Sequence, residues 1–143
     1  MKFILIIALM SLSFLSLPSQ DLSLKKSILI DRSGDAEIFL DAESLEESGD
    51  QILVWVTNRF AKPREVKFLD TKVKAKSIYY MMNLELARYS IIAVKYYDVD
   101  NKETHSFSYV RKSKIPEYNF NFPVYKNSIE EKIADSIKKL TSK

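Results

Sequence analysis

The sequence predicts an α+β domain in which an antiparallel meander sheet of five to six strands carries a C-terminal amphipathic helix on one face. Three observations predict it. Short runs dense in Ile, Val, Tyr and Phe recur along the chain, separated by polar turns. The last stretch repeats apolar residues at helical spacing, with Ile129, Ile133, Ile137 and Leu140 in one stripe. At 143 residues the chain is long enough for one domain with a real core and too short for two.

The N-terminus is set apart from that domain. Lys2 precedes the apolar run from Phe3 to Met10, which continues through Ser-rich sequence to Leu17 before Pro18 and the first acid, Asp21. This is the layout of a secretory signal peptide over residues 1–20, followed by one domain over 21–143. An uncleaved run of this length approaches the roughly 17-residue lower limit of a membrane span. The small and polar residues at its end favour cleavage, so a periplasmic or secreted protein is expected, touching a membrane only if the segment stays attached.

In the mature chain, Ser27 to Asp31 and Ala36 to Leu40 read as strands around the turn Arg32–Asp35. The acidic stretch Asp41 to Asp50 has room for one helical turn capped by Asp41. Gln51 to Phe60 is a central strand, with Leu53, Trp55 and Thr57 on one face and Ile52, Val54 and Val56 on the other. Apolar residues of both parities predict at least partial cover on both sides, with Trp55 inside the fold. Ala61 to Lys76 reads as a basic loop marked by Pro63. The hairpin that follows, Ile78 to Asp98, turns at Leu86-Ala87-Arg88. Ile78, Tyr80, Met82, Leu84 and Leu86 form one face of its first strand, and Ile92, Val94 and Tyr96 one face of its second. Asp98 to Glu103 is a turn and Thr104 to Val110 a further strand. Asn127 or Ser128 can cap the helix, with Glu130 or Glu131 closing a capping box. Only two Gly are present, so positive-φ turns must lean on Asn and Asp.

Composition narrows function. The 22 Lys and Arg stand against 19 Asp and Glu, too even a balance to imply a nucleic-acid partner. With no cysteine, disulfides, thiol catalysis, thiolate metal sites and a lipoprotein anchor are excluded. His105 is the only histidine, which rules out a two-His metal site. Asp98-Val99-Asp100-Asn101-Lys102-Glu103 begins like a calcium loop, but Lys102 and Glu103 stand where a ligand and a Gly are needed. Asp31, Asp41 and Glu85 have no spacing that makes an acid/base pair. A non-enzyme without a cofactor is the expectation. A periplasmic enzyme or enzyme-accessory domain, with groups assembled only in three dimensions, is the alternative.

Two segments are candidates for a binding surface. The first is the basic loop, with Lys62, Arg64, Lys67, Lys72, Lys74 and Lys76 as a salt-sensitive site for sulfated glycans, acidic proteins or anionic lipid heads. The second is Arg111, Lys112 and Lys114 with Tyr118, Phe120, Phe122 and Tyr125. Its aromatics equally suit the bland task of sealing the helix to the sheet edge.

The order Ile38-Phe39-Leu40-Asp41-Ala42-Glu43-Ser44-Leu45, Ser48 to Val56, Tyr96-Tyr97-Asp98-Val99-Asp100-Asn101 and Ser128-Ile129-Glu130-Glu131 resembles the surface-adhesin protein E-like domain family over nearly the whole mature chain. The resemblance implies a sheet with a C-terminal helix and an envelope-associated or secreted bacterial protein. It also implies a homodimer that binds extracellular-matrix or serum proteins such as vitronectin and laminin. The chain departs from the family where a cysteine pair ties helix to sheet, carrying Leu84 and Leu86 in the first region and Lys138 near the second.

Overall fold

The computed structural model describes residues 21–109 and 122–142. Six strands run in sequence order across one antiparallel sheet: β1 (Ser27–Ser33), β2 (Ala36–Asp41), β4 (Gln51–Arg64), β5 (Val73–Asn83), β6 (Arg88–Tyr97) and β7 (Glu103–Ser108). The short β3 (Glu46–Ser48) pairs with β4, and β8 (Phe122–Pro123) pairs with β6. The helix α1 (Ile129–Thr141) follows. This is the predicted meander with its C-terminal helix. The short β3 and β8 lie where the sequence offers an acidic stretch and a proline.

Local chemistry explains the punctuation. Asp41 caps a 3₁₀ turn at Ala42–Ser44, its Oδ1 accepting from the backbone of Glu43 at 3.0 Å and Ser44 at 3.3 Å. Gly34, Gly49, Asn101 and Asn127 take the positive φ that their turns require, as the scarcity of glycine demands. Ala87, at φ 49°, does so without glycine's freedom. Ser128 is the helix cap, with its Oγ accepting from Glu131 N at 3.1 Å, while the Glu131 carboxylate accepts from Asn127 N at 2.6 Å.

The core lies between α1 and one face of the sheet. Leu40, Val54, Met82, Ile133 and Ile137 are sealed from solvent, joined by Ile38, Val56, Ile78, Tyr80 and Val94. Lys132 pairs with Asp31 at 2.8 Å beside this contact, and the Tyr80 hydroxyl stands 3.5 Å from Glu130. Phe122 stacks against Tyr89 at 5.4 Å and Val124 N donates to Ala87 O at 2.8 Å, so the chain entering α1 is tied to the β5–β6 turn.

Three expectations are corrected. β4 is central, but α1 covers only its Val54–Val56 side. Trp55 and Leu53 are half-buried on the opposite face, because one helix can lie on only one side of a sheet. A bulge between Tyr79 and Tyr80 pairs them with Ala93 and Ile91, so Ile91 packs on the core and Ile92 falls out of the expected face. Leu86, expected on the core face, sits in the turn and is 49% exposed.

The helix docks without a covalent tether, so Ile133→Ala or Ile137→Ala should lower unfolding free energy by about 2 to 5 kcal/mol in urea titrations. Asp135→Ala, on the solvated face, should change it by no more than about 0.5 kcal/mol. Ala87→Gly should stabilise the domain by up to about 1 kcal/mol, since relief of the left-handed strain outweighs the added chain entropy.

Candidate functional site

The expected basic loop is mostly strand. β4 runs on through Pro63 to Arg64 and β5 begins at Val73, leaving only residues 65–72 as connection. Pro63 is accommodated by an irregularity: Arg59 pairs with Ala75 and Arg64 next with Val73, so the intervening residues need no regular ladder. The connection does not simply project. Phe68 folds back edge-on against Tyr96 and Phe107, each at 6.0 Å, while remaining 63% exposed.

The six cations therefore divide. Arg64 pairs with Asp35 and lies over the Phe60 ring at 4.0 Å. Lys74 donates to Ala61 O at 2.6 Å. Lys76 is half-buried, and burial, with the nearby Arg64 charge, pulls its pKa below the ordinary lysine value. Lys62, Lys67 and Lys72 are exposed and, among the described residues, make no ion pair. These three stand free around the hairpin end. A cleft of about 520 Å³ nearby is bordered by Arg32 and Arg59, both paired with Glu37.

The second candidate lies mainly outside the described residues. Arg111, Lys112, Lys114, Tyr118 and Phe120 are not described, while Phe122 joins the sheet and Tyr125 is 70% exposed.

A further site was missed in the sequence. On the helix-free face, a cleft of about 380 Å³ lies between the sheet and the stretch 21–27. Leu22 N donates to Asn101 O at 2.8 Å and Lys26 pairs with Glu43, which hold that stretch across the sheet. Cross-strand partners supply the floor. Thr57 faces Ser77 in the ladder and their hydroxyls meet at 2.6 Å, both residues buried. Trp55 faces Tyr79 and stacks on it at 4.7 Å with 12° between planes. Lys95 reaches over the indole at 5.3 Å while pairing with Glu103 at 3.4 Å. The one available signal was that Trp55 and Thr57 share a parity; their partners on β5 were invisible without the register.

The other polar residues singled out in the sequence have local tasks. Asp98 Oδ1 accepts from Asp100 N at 2.8 Å and Lys102 N at 3.0 Å, which builds the β6–β7 turn. Asp31 and Asp41 are engaged in the helix contact and the 3₁₀ turn. His105 lies opposite Tyr96, with its Nδ1 buried and without a hydrogen-bond partner. Among the described residues no three acidic or histidine side chains group as a metal site. No protein-family model matches the chain, and no curated protein matches it.

Burial, reinforced by the Glu130 charge, holds the Tyr80 phenol well above its ordinary pKa of 10.0. Burial also raises Tyr97, partly offset by its hydrogen bond with Ser77. Both groups keep their protons longer in the folded chain than in the unfolded one, so their contribution is intact below about pH 10 and is lost as pH rises from there towards the folded-state values. Urea unfolding should show stability falling between about pH 10 and 11, and Tyr80→Phe should flatten that fall.

Proposed function

We propose that the protein is an exported binding module of the bacterial envelope, without catalytic activity, that engages a polyanionic partner such as a sulfated glycan or an acidic matrix or serum protein. The observation that carries this reading is the end of the β4–β5 hairpin, where Lys62, Lys67 and Lys72 are exposed with no carboxylate partner among the described residues. Cations already neutralised, such as Arg64, add little to the external field, whereas unpaired ones create a local attraction. The exposed ring of Phe68, in the same connection as Lys67 and Lys72, gives charge and apolar area together. The leader-like N-terminal sequence and the resemblance to the surface-adhesin protein E-like domain support export and an adhesin-like role, in a homodimer as that resemblance implies.

The test is retention on immobilised heparin as a function of salt. Elution should move to lower salt in Lys62→Glu/Lys67→Glu/Lys72→Glu, with affinity about tenfold or more weaker and the melting temperature nearly unchanged, since exposed charges contribute little to stability. Lys76→Glu should instead lower the melting temperature, because it buries a carboxylate in place of a half-buried ammonium. Retention that survives the triple change and high salt would remove the hairpin end as the binding surface.

A further inference from the structure

We propose that the cleft on the helix-free face is a binding site for a neutral saccharide, distinct from the cationic hairpin end. Its volume of about 380 Å³ is in the range of small-ligand sites, roughly 300 to 1,000 Å³. The chemistry of its floor selects the ligand. Thr57 and Ser77 join their hydroxyls at 2.6 Å, and Tyr97 lines the cleft with them. Two bonded hydroxyls carry two protons, and the bond between them uses one. One proton is left against several unfilled lone pairs, because each hydroxyl oxygen accepts up to about two hydrogen bonds. Such a floor asks for a ligand rich in donors. A sugar, whose hydroxyls both donate and accept, answers it; phosphate or sulfate, which offer mainly acceptors, do not.

The charges around the floor agree. Lys26 is held by Glu43, Asp41 is committed to its cap, and Lys95 is shared between Glu103 and the indole ring. The charges that line the cleft balance, Lys25, Lys26 and Lys95 against Asp21, Asp41 and Glu43, so no net field selects a charged ligand. Trp55 supplies the apolar surface: stacking on Tyr79 fixes the indole beside the hydroxyl floor, and the C–H face of a pyranose takes the place of the Lys95 ammonium over its other side.

The chain has one tryptophan, so its intrinsic fluorescence reports this cleft directly. The experiment titrates the full domain with glucose, N-acetylglucosamine, maltose and cellobiose, and separately with inorganic phosphate and sulfate. A saturable emission change is expected with at least one sugar, at a dissociation constant on the order of 1 mM or tighter, and none with the two anions. Ser77→Ala should weaken the binding about fivefold or more, because it removes one of the two bonded hydroxyls of the floor. Should that variant fail to fold, the exposed-side change Lys95→Met and the shift of the Trp55 indole proton in the unaltered protein provide the reading. The triple hairpin reversal should bind sugar as the parent does, which separates this site from the polyanion surface. No saturable response to any of the four sugars at about 50 mM, far above the constant expected, would overturn the proposal. So would a response to phosphate or sulfate alone, or sugar binding left unchanged in Ser77→Ala.

Discussion

The burial of Ile133 and Ile137 against Leu40, Val54 and Met82 is the contact on which the rest of the structure depends. A meander sheet on its own has two exposed faces and cannot bury enough apolar surface to offset the entropy of ordering its strands. One helix of thirteen residues supplies cover for one of them. The stripe at every fourth residue is therefore the feature that turns a ribbon of hairpins into a domain. Packing, the Ser128 cap and the Asp31–Lys132 pair hold the helix there.

The asymmetry that follows shapes the other face. With no second helix among the described residues, the sheet covers its back with its own side chains and with the stretch 21–27. Trp55 lies flat on Tyr79, Arg59 lies over Phe39 at 5.0 Å, and Thr57 and Ser77 satisfy one another. Each solution hides apolar area or pairs a polar atom without needing another layer. The result is a face that is neither core nor ordinary surface, and it is there that the cleft forms.

Much of the architecture was legible because strand parity and helical spacing are local properties. Ile78, Tyr80 and Met82 alternate as a buried face must, and they are buried. What was illegible is what pairing decides. The bulge that exchanges Ile91 for Ile92 depends on how β5 meets β6, and no composition rule marks it. Pro63 read as a loop because its missing N–H normally ends a ladder; the irregular pairing beyond Arg59 removes that demand. The candidate cations were legible as a cluster, but not their division. Whether Arg64 is free depends on Asp35, which is distant in sequence and adjacent only because β1 and β2 fold back on β4. The hydroxyl floor was hidden for the same reason, since Thr57 and Ser77 meet only through register.

The hydrogen bond from Leu22 to Asn101 joins the first described residues to the turn between the last two long strands. Neighbouring strands of the meander close shorter loops, whereas this bond, like the Asp31–Lys132 pair, joins residues far apart in sequence and carries a large closure entropy. Order of assembly follows from that difference. The hairpins can zip one after another as the chain emerges N-terminus first during synthesis, but the leading stretch must wait for β6 and β7 before it has anything to hold. The cleft thus forms late, as the helix contact does. Being anchored by few contacts, it is also the first to open in the folded state, so access to its floor is governed by a local opening far cheaper than unfolding.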